Sequence, residues 1–298
     1  MKNYKSPNFL GVGAAKSGTT SLFQWLLQHP DVYVPEIKEC RFFSQMPNDA
    51  KGLGSEMWTN GGIRNEKDYF DLFKEHENQI CGDISPDYLY YYEKSIANIK
   101  KFLSNDVKII IVLRNPIERA YSFYFHLIRD GVENCSFEEA IIKEPYRIKE
   151  GWAWSYHYIR SGMYYKQVKA YIENFKNIKI YIFEDLLKGQ EFMNDIFEFI
   201  GIKTIPIDFD KFNESGYPKS LFLSYLINKP NIFRKIAKPF LSKELKSIIY
   251  EKIRKYNLSK INKIPLKIET KTYLREVYSK DITKLSNLIQ RDLTMWLE

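Results

Sequence analysis

Cysteine is scarce in this chain: of 298 residues only Cys40, Cys81 and Cys135 are cysteine, and their spacing pairs none of them. That excludes a disulfide framework and a thiolate metal knuckle, and it points to a reducing compartment. Histidine is nearly as rare, with His29, His76, His126 and His157 scattered and sharing no motif. Without a cluster of Cys, His and carboxylates, no metal is expected. No apolar run approaches the roughly eighteen residues of a membrane helix, and the polar stretch Met1–Pro7 does not read as a signal peptide. A cytoplasmic protein is therefore expected. Repeats, low-complexity tracts and a convincing linker are also missing, which leaves one domain over residues 1–298.

What is present is ample core material, 44% hydrophobic and 16% aromatic residues. Charge is unevenly spread: residues 211–298 hold 19 Lys and Arg against 8 Asp and Glu, and the rest holds 26 against 29. Solvated helix faces explain this basic third most simply, with contact to an acidic substrate or an anionic membrane surface left open. Within it, Pro230 and Pro239 divide residues 221–257 into two or three helices, expected to pack on the domain.

The organising stretch runs from Asn8 to Leu22. Phe9–Val12 is short and apolar and reads as a buried strand. Gly13-Ala-Ala-Lys-Ser-Gly18 follows, and Thr19 and Thr20 can cap a helix with Leu22, Phe23, Leu26 and Leu27 on its apolar face. Strand, glycine turn and helix start make a phosphate cradle, in which backbone N–H groups and the helix dipole converge on an anion. A nucleoside-triphosphate P-loop would carry lysine after its second glycine. Thr19 stands there instead, and the lysine, Lys16, lies inside the turn.

A second phosphate signal follows Val107–Leu113, a β-branched run typical of a parallel strand buried on both faces. It ends in Arg114-Asn-Pro116, where proline suits a first helical turn, so Arg114 projects at the strand's C-terminal edge. Arg119 and Ser122 follow on the helix; a guanidinium fork and a hydroxyl suit a phosphate monoester. Magnesium-dependent P-loop enzymes end such a strand in an acid.

In its lysine-then-Gly-Thr-Thr turn and its Arg114…Ser122 element, the chain resembles the sulfotransferases that use 3′-phosphoadenosine-5′-phosphosulfate (PAPS). The resemblance implies an α/β, P-loop-like three-layer fold with a central parallel sheet flanked by helices. It assigns Lys16, Ser17, Gly18, Thr19, Thr20 and Ser21 to the 5′-phosphosulfate, and Arg114 and Ser122 to the 3′-phosphate. Tyr164 and Ser161, at a helix entrance, and Lys219, in the polar loop 212–220, are further candidates for the nucleotide. Lys38-Glu39-x-x-Phe42-Phe43 is similar to the stretch that carries the general base in members acting on sugars. Glu39 is then the candidate base, with Lys38 assisting Lys16, and the partners expected are a nucleotide donor and a saccharide acceptor, not a nucleic acid.

The Gly82-Asp-Ile-Ser-Pro-Asp-Tyr88 element also looks like a family feature, but Ile84 stands where heparan-type members carry lysine. Asp83 is left as a structural or secondary acid, and His157 as an alternative base. Trp58 lies in a polar segment expected to line the acceptor cleft, ahead of a short helix around Tyr69–Phe73. The end of the chain looks like the family's terminal helix–turn–helix. A phosphotransferase, or a non-catalytic nucleotide or anionic-glycan binder, is the alternative function.

Overall fold

Strand β1 (Phe9–Gly13) runs through a turn into helix α1 (Thr19–Leu26), and every residue of the strand is buried. There follow β2 (Val32–Tyr33), α2 (Glu56–Thr59), α3 (Glu66–Asp71), β3 (Ile80–Ile84), α4 (Asp87–Tyr90), α5 (Tyr92–Phe102) and β4 (Lys108–Leu113). Then come α6 (Pro116–Arg129), α7 (Phe137–Lys149), α8 (Tyr164–Asn174), β5 (Ile178–Ile182) and α9 (Gln190–Ile200). The computed structural model describes residues 5–59, 61–209, 217–218, 258–259 and 265–298, with Met57, Trp58 and the two residue pairs at 217 and 258 as backbone only. Lys219, the helices expected over 221–257 and the Trp58 side chain lie outside what is described.

The five strands form one parallel sheet in the order β2-β3-β1-β4-β5. Alternation along the inner strands divides the core into two layers. Leu10, Val12, Ile109, Ile111 and Leu113 join one apolar cluster; Phe9, Ile110 and Val112 join the other. Helices α1 and α9 supply Leu22, Leu26, Met193 and Phe197 to the second cluster, while α5, α6 and α8 supply Ile99, Ala120 and Tyr171 to the first. This is the three-layer α/β architecture expected, because strands buried on both faces require helices on both.

Two local boundaries differ from expectation. Helix α3 starts at Glu66, earlier than the Tyr69–Phe73 reading, because Asn65 caps it by accepting from the Asp68 N–H at 2.8 Å. The terminal segment is a single helix, Ile268–Ile289, with one 3₁₀ turn at Thr294–Trp296, not a helix–turn–helix. Gln290 in the left-handed region (φ 51°) stops that helix, and the chain then continues into the 3₁₀ turn. Its Leu274, Tyr278, Ile282 and Leu285 are buried in the first cluster. Arg291 then ties the chain end to the sheet edge through a two-pronged pair with Asp185, at 2.5 and 2.7 Å.

Candidate active site

The β1–α1 turn forms because two of its residues sit where most side chains are strained: Lys16 at φ 69° and Gly18 at φ 88°. Gly18 is also where a Cβ would meet the end of the Leu186 side chain at 2.3 Å, so a larger residue would displace that leucine as well as strain the backbone. Contrary to the capping expectation for Thr19 and Thr20, Gly18 holds the N-cap position and no side chain caps α1. The first-turn N–H groups, Thr19, Thr20 and Ser21 among them, thus remain available to an anion.

Half-buried Lys16 has its ammonium pKa lowered to about 8, by burial first and then by repulsion from Arg129, Lys38 and Arg114, with Asp130 opposing. Several cations gathered where lysine ionisation is disfavoured make a site that gains by receiving an anion. The Ser17 and Tyr164 hydroxyls lie close together at the turn, both buried, with the Arg114 backbone beside the phenol and no well-formed hydrogen bond on either hydroxyl. Burial pushes the Tyr164 phenol up to about 12, so it is a neutral donor. Such hydroxyls beneath converging N–H groups and cations fit a phosphate.

Arg114 completes this surface. From the end of β4 its guanidinium donates to the Lys16 carbonyl at 3.2 Å and lies over the Phe183 ring, 4.5 Å from its centre. Its pair with Glu118 is of the i,i+4 kind at 3.3 Å, with the carboxylate half exposed, worth at most about 1 kcal/mol. A phosphate competes easily for such an arginine. Ser122 is half-buried on the same helix, α6, between Arg114 and the Arg129 that acts on Lys16.

The candidate base sits on a loop held by its own side chains. Lys38 Nζ donates to Thr20 Oγ1 at 2.8 Å and approaches Glu39 Oε1 at 3.8 Å, joining this loop to the cradle. Arg41 grips Glu39 Oε2 through Nε at 3.2 Å and Nη2 at 2.5 Å. Glu39 (φ 69°) and Arg41 (φ 57°) both adopt left-handed backbone, which directs the two side chains toward each other. Lys38 itself has its pKa lowered by burial, with Glu39 opposing.

Beside Arg41 lies Asp87, fully buried, with the Ser44 hydroxyl near it but no well-formed hydrogen bond on either oxygen. Burial pushes its carboxyl up to about 7, with Arg41 the chief opposing influence.

Comparison with known proteins matches residues 6–215 to the sulfotransferase domain family. This chain belongs to the sulfotransferase family. A sulfotransferase crystal structure from Alicyclobacillus acidocaldarius superposes with a TM-score of 0.78 at 29% identity, covering 99% of this chain and all of that one. Mouse heparan sulfate glucosamine 3-O-sulfotransferase 3A1 is 27% identical over 210 residues, 68% of this chain and 47% of the relative. Mouse carbohydrate sulfotransferase 15 is 25% identical over 166 residues, 45% of this chain and 30% of the relative. The chain therefore spans less than half the length of these curated relatives.

In this sulfotransferase-family chain the cradle, Arg114, Lys38 and Glu39 come together as one surface, with the buried Tyr164 beneath the turn. Other candidates fall elsewhere. Asp83 is buried and accepts from Tyr69 at 3.0 Å, Tyr88 at 2.7 Å and Ser85 at 2.8 Å, so its lone pairs are committed to holding the core. Arg119 is fully buried and donates to the Tyr158 carbonyl, away from solvent. His157 lies in the wall of an adjoining cavity, where burial and then Arg160 lower its imidazole to about 4. Ser161 is buried, its hydroxyl unpartnered. No helix among the described residues is long and apolar enough to cross a membrane. Sequence reasoning passed over Arg41, Arg129, Phe183 and Asp87. Only Arg41 carried a signal, an arginine two residues beyond the candidate base.

Proposed function

We propose that this protein transfers a sulfuryl group from PAPS to a carbohydrate hydroxyl or amine and releases 3′,5′-ADP. The observation that carries this reading is the Arg114–Lys16 hydrogen bond, which makes two anion-binding elements distant in sequence into one surface. Lys16, Ser17, Tyr164 and the N–H groups through Ser21 would hold the 5′-phosphosulfate; Arg114 and Ser122 would serve the 3′-phosphate end. Bound there, PAPS supplies an activated sulfuryl group with an adenosine bisphosphate leaving group.

The chain's own residues do the rest. Glu39, oriented by Arg41, takes the acceptor proton as that oxygen or nitrogen attacks sulfur in line. The bond from sulfur to the bridging phosphate oxygen breaks, and Lys16 neutralises the charge that grows on that oxygen, with Lys38 beside it. The similarity of the Lys38–Phe43 stretch and of the matched relatives to carbohydrate-directed enzymes supports a saccharide acceptor. Calorimetry with 3′,5′-ADP against magnesium ATP tests the donor assignment. Tight binding of ATP with none of 3′,5′-ADP would overturn it, and radiolabelled sulfate transfer to a glycan panel tests the acceptor.

A further inference from the structure

An aromatic-walled cavity of about 550 Å³ lies beside the base loop, within the size range of small-molecule sites. Three segments build it: residues 47–51, the Tyr90–Lys94 junction between α4 and α5, and residues 148–160. The first and last are pinned by backbone hydrogen bonds, Lys51 to the Gly151 carbonyl at 2.8 Å and Ala153 to the Lys51 carbonyl at 2.9 Å. We propose that this cavity is the acceptor subsite and takes a hexopyranose ring, packed among Tyr90, Tyr91, Tyr92 and Trp152 and hydrogen-bonded to His157. This rests on the sulfuryl-transfer reading and deepens it.

His157 carries the argument. It is 6% exposed and lines the cavity; Nδ1 lies 2.5 Å from the Tyr90 hydroxyl, the Trp152 backbone approaches the ring, and Nε2 makes no well-formed hydrogen bond. A buried polar atom left unpaired in a site wall marks where a ligand atom belongs. Its neighbours decide the ligand's chemistry. The imidazole is neutral and the Tyr90 phenol, pushed up to about 12 by burial, stays protonated. Nε2 is therefore a donor or an acceptor according to the tautomer. A sugar hydroxyl, donor and acceptor at once, satisfies either; a carboxylate or an ammonium satisfies one only.

Charge at the rim agrees. Asp49, Glu93 and Glu150 stand among Lys51, Lys94 and Lys149, so no single-sign field is presented to a polyanion. Rings of Tyr90 and Tyr91, 4.9 Å apart and nearly perpendicular, give an apolar surface for the C–H face of a sugar, and Arg160 lies 5.8 Å from the centre of the Tyr90 ring. Arg41, which grips Glu39, also acts on the Tyr91 phenol in the cavity wall, opposing the upward push that burial gives it.

Saturation-transfer NMR on the full chain with 3′,5′-ADP present, using cellobiose and chitobiose as probes, tests this. At least one disaccharide should receive saturation, and His157→Ala and Tyr90→Ala should each weaken it by about tenfold. Calorimetric 3′,5′-ADP affinity should stay within about twofold in both, which also shows that the variants fold. Tyr90→Phe, which keeps the ring and loses the hydroxyl, should retain part of the binding. No saturation of either sugar, or equal binding in folded His157→Ala, would overturn the subsite while leaving the donor reading intact. Absent 3′,5′-ADP binding would sink the donor reading instead.

Discussion

The β1–α1 turn and the Pro35–Ser44 loop meet at one hydrogen bond, from Lys38 to Thr20, yet they are held by different means. The turn is set by backbone: a strand on one side, a helix on the other, and a glycine at a left-handed position between them. The loop is set by side chains, with Arg41 clamped on Glu39 and two left-handed residues between neighbours of ordinary size. A backbone-built site binds a constant group such as phosphate, because its donors cannot turn away. A side-chain-built site holds one carboxylate in one orientation and is undone by one substitution.

That contrast is sharpest in Glu39→Gln, which should cut sulfuryl transfer at least about a hundredfold while 3′,5′-ADP affinity holds within twofold. Near-normal turnover in that variant would remove Glu39 as the base. Lys16→Met should break both halves at once, lowering turnover by about a hundredfold and 3′,5′-ADP affinity by about tenfold. Unchanged affinity by calorimetry would mean that the cradle binds through backbone alone. Arg41→Lys retains the charge but not the fork. It should slow turnover by about tenfold, and a fall in donor affinity as well would show that the two regions are not separable.

The pH dependences are gentler. Free Lys16 titrates at about 8, and a bound phosphate raises that value, so the complex takes up a proton. Affinity for 3′,5′-ADP should be full below pH 8 and decline as pH rises through it; Lys16→Arg should flatten the decline. Asp87 runs the other way, in stability. Its folded value of about 7 exceeds the ordinary aspartate value of 3.8, so the folded state holds the extra proton between them. Stability from this group is present at low pH and is lost as pH rises from about 4 to about 7. Asp87→Asn should abolish that loss, read as a thermal midpoint that gains a few degrees on the parent protein across the window. Parallel melting curves would show that Arg41 already compensates the charge.

Asp83 and Asp87 show where reading by sequence stops. Both lie in one short motif and both are buried, but three hydroxyls satisfy Asp83 while Asp87 faces Arg41 with no well-formed hydrogen bond on its oxygens. No spacing distinguishes them, because Tyr69 reaches Asp83 from another helix and Arg41 approaches Asp87 from another loop. His157 is a similar case, a lone histidine whose meaning lies in Tyr90 and the cavity beside it.

The parallel sheet, the cradle and the arginine at the tip of β4 were legible in the residues themselves. Hydrophobic period, glycine placement and a proline after a strand are local signals, and local backbone geometry answers to them. Only the fold decided that Lys38 bridges to Thr20, that Arg41 orients Glu39, and which buried carboxylate is left without a well-formed hydrogen bond. Those outcomes depend on which loops are brought together and on how much water they exclude, and neither quantity is written in any short stretch of chain.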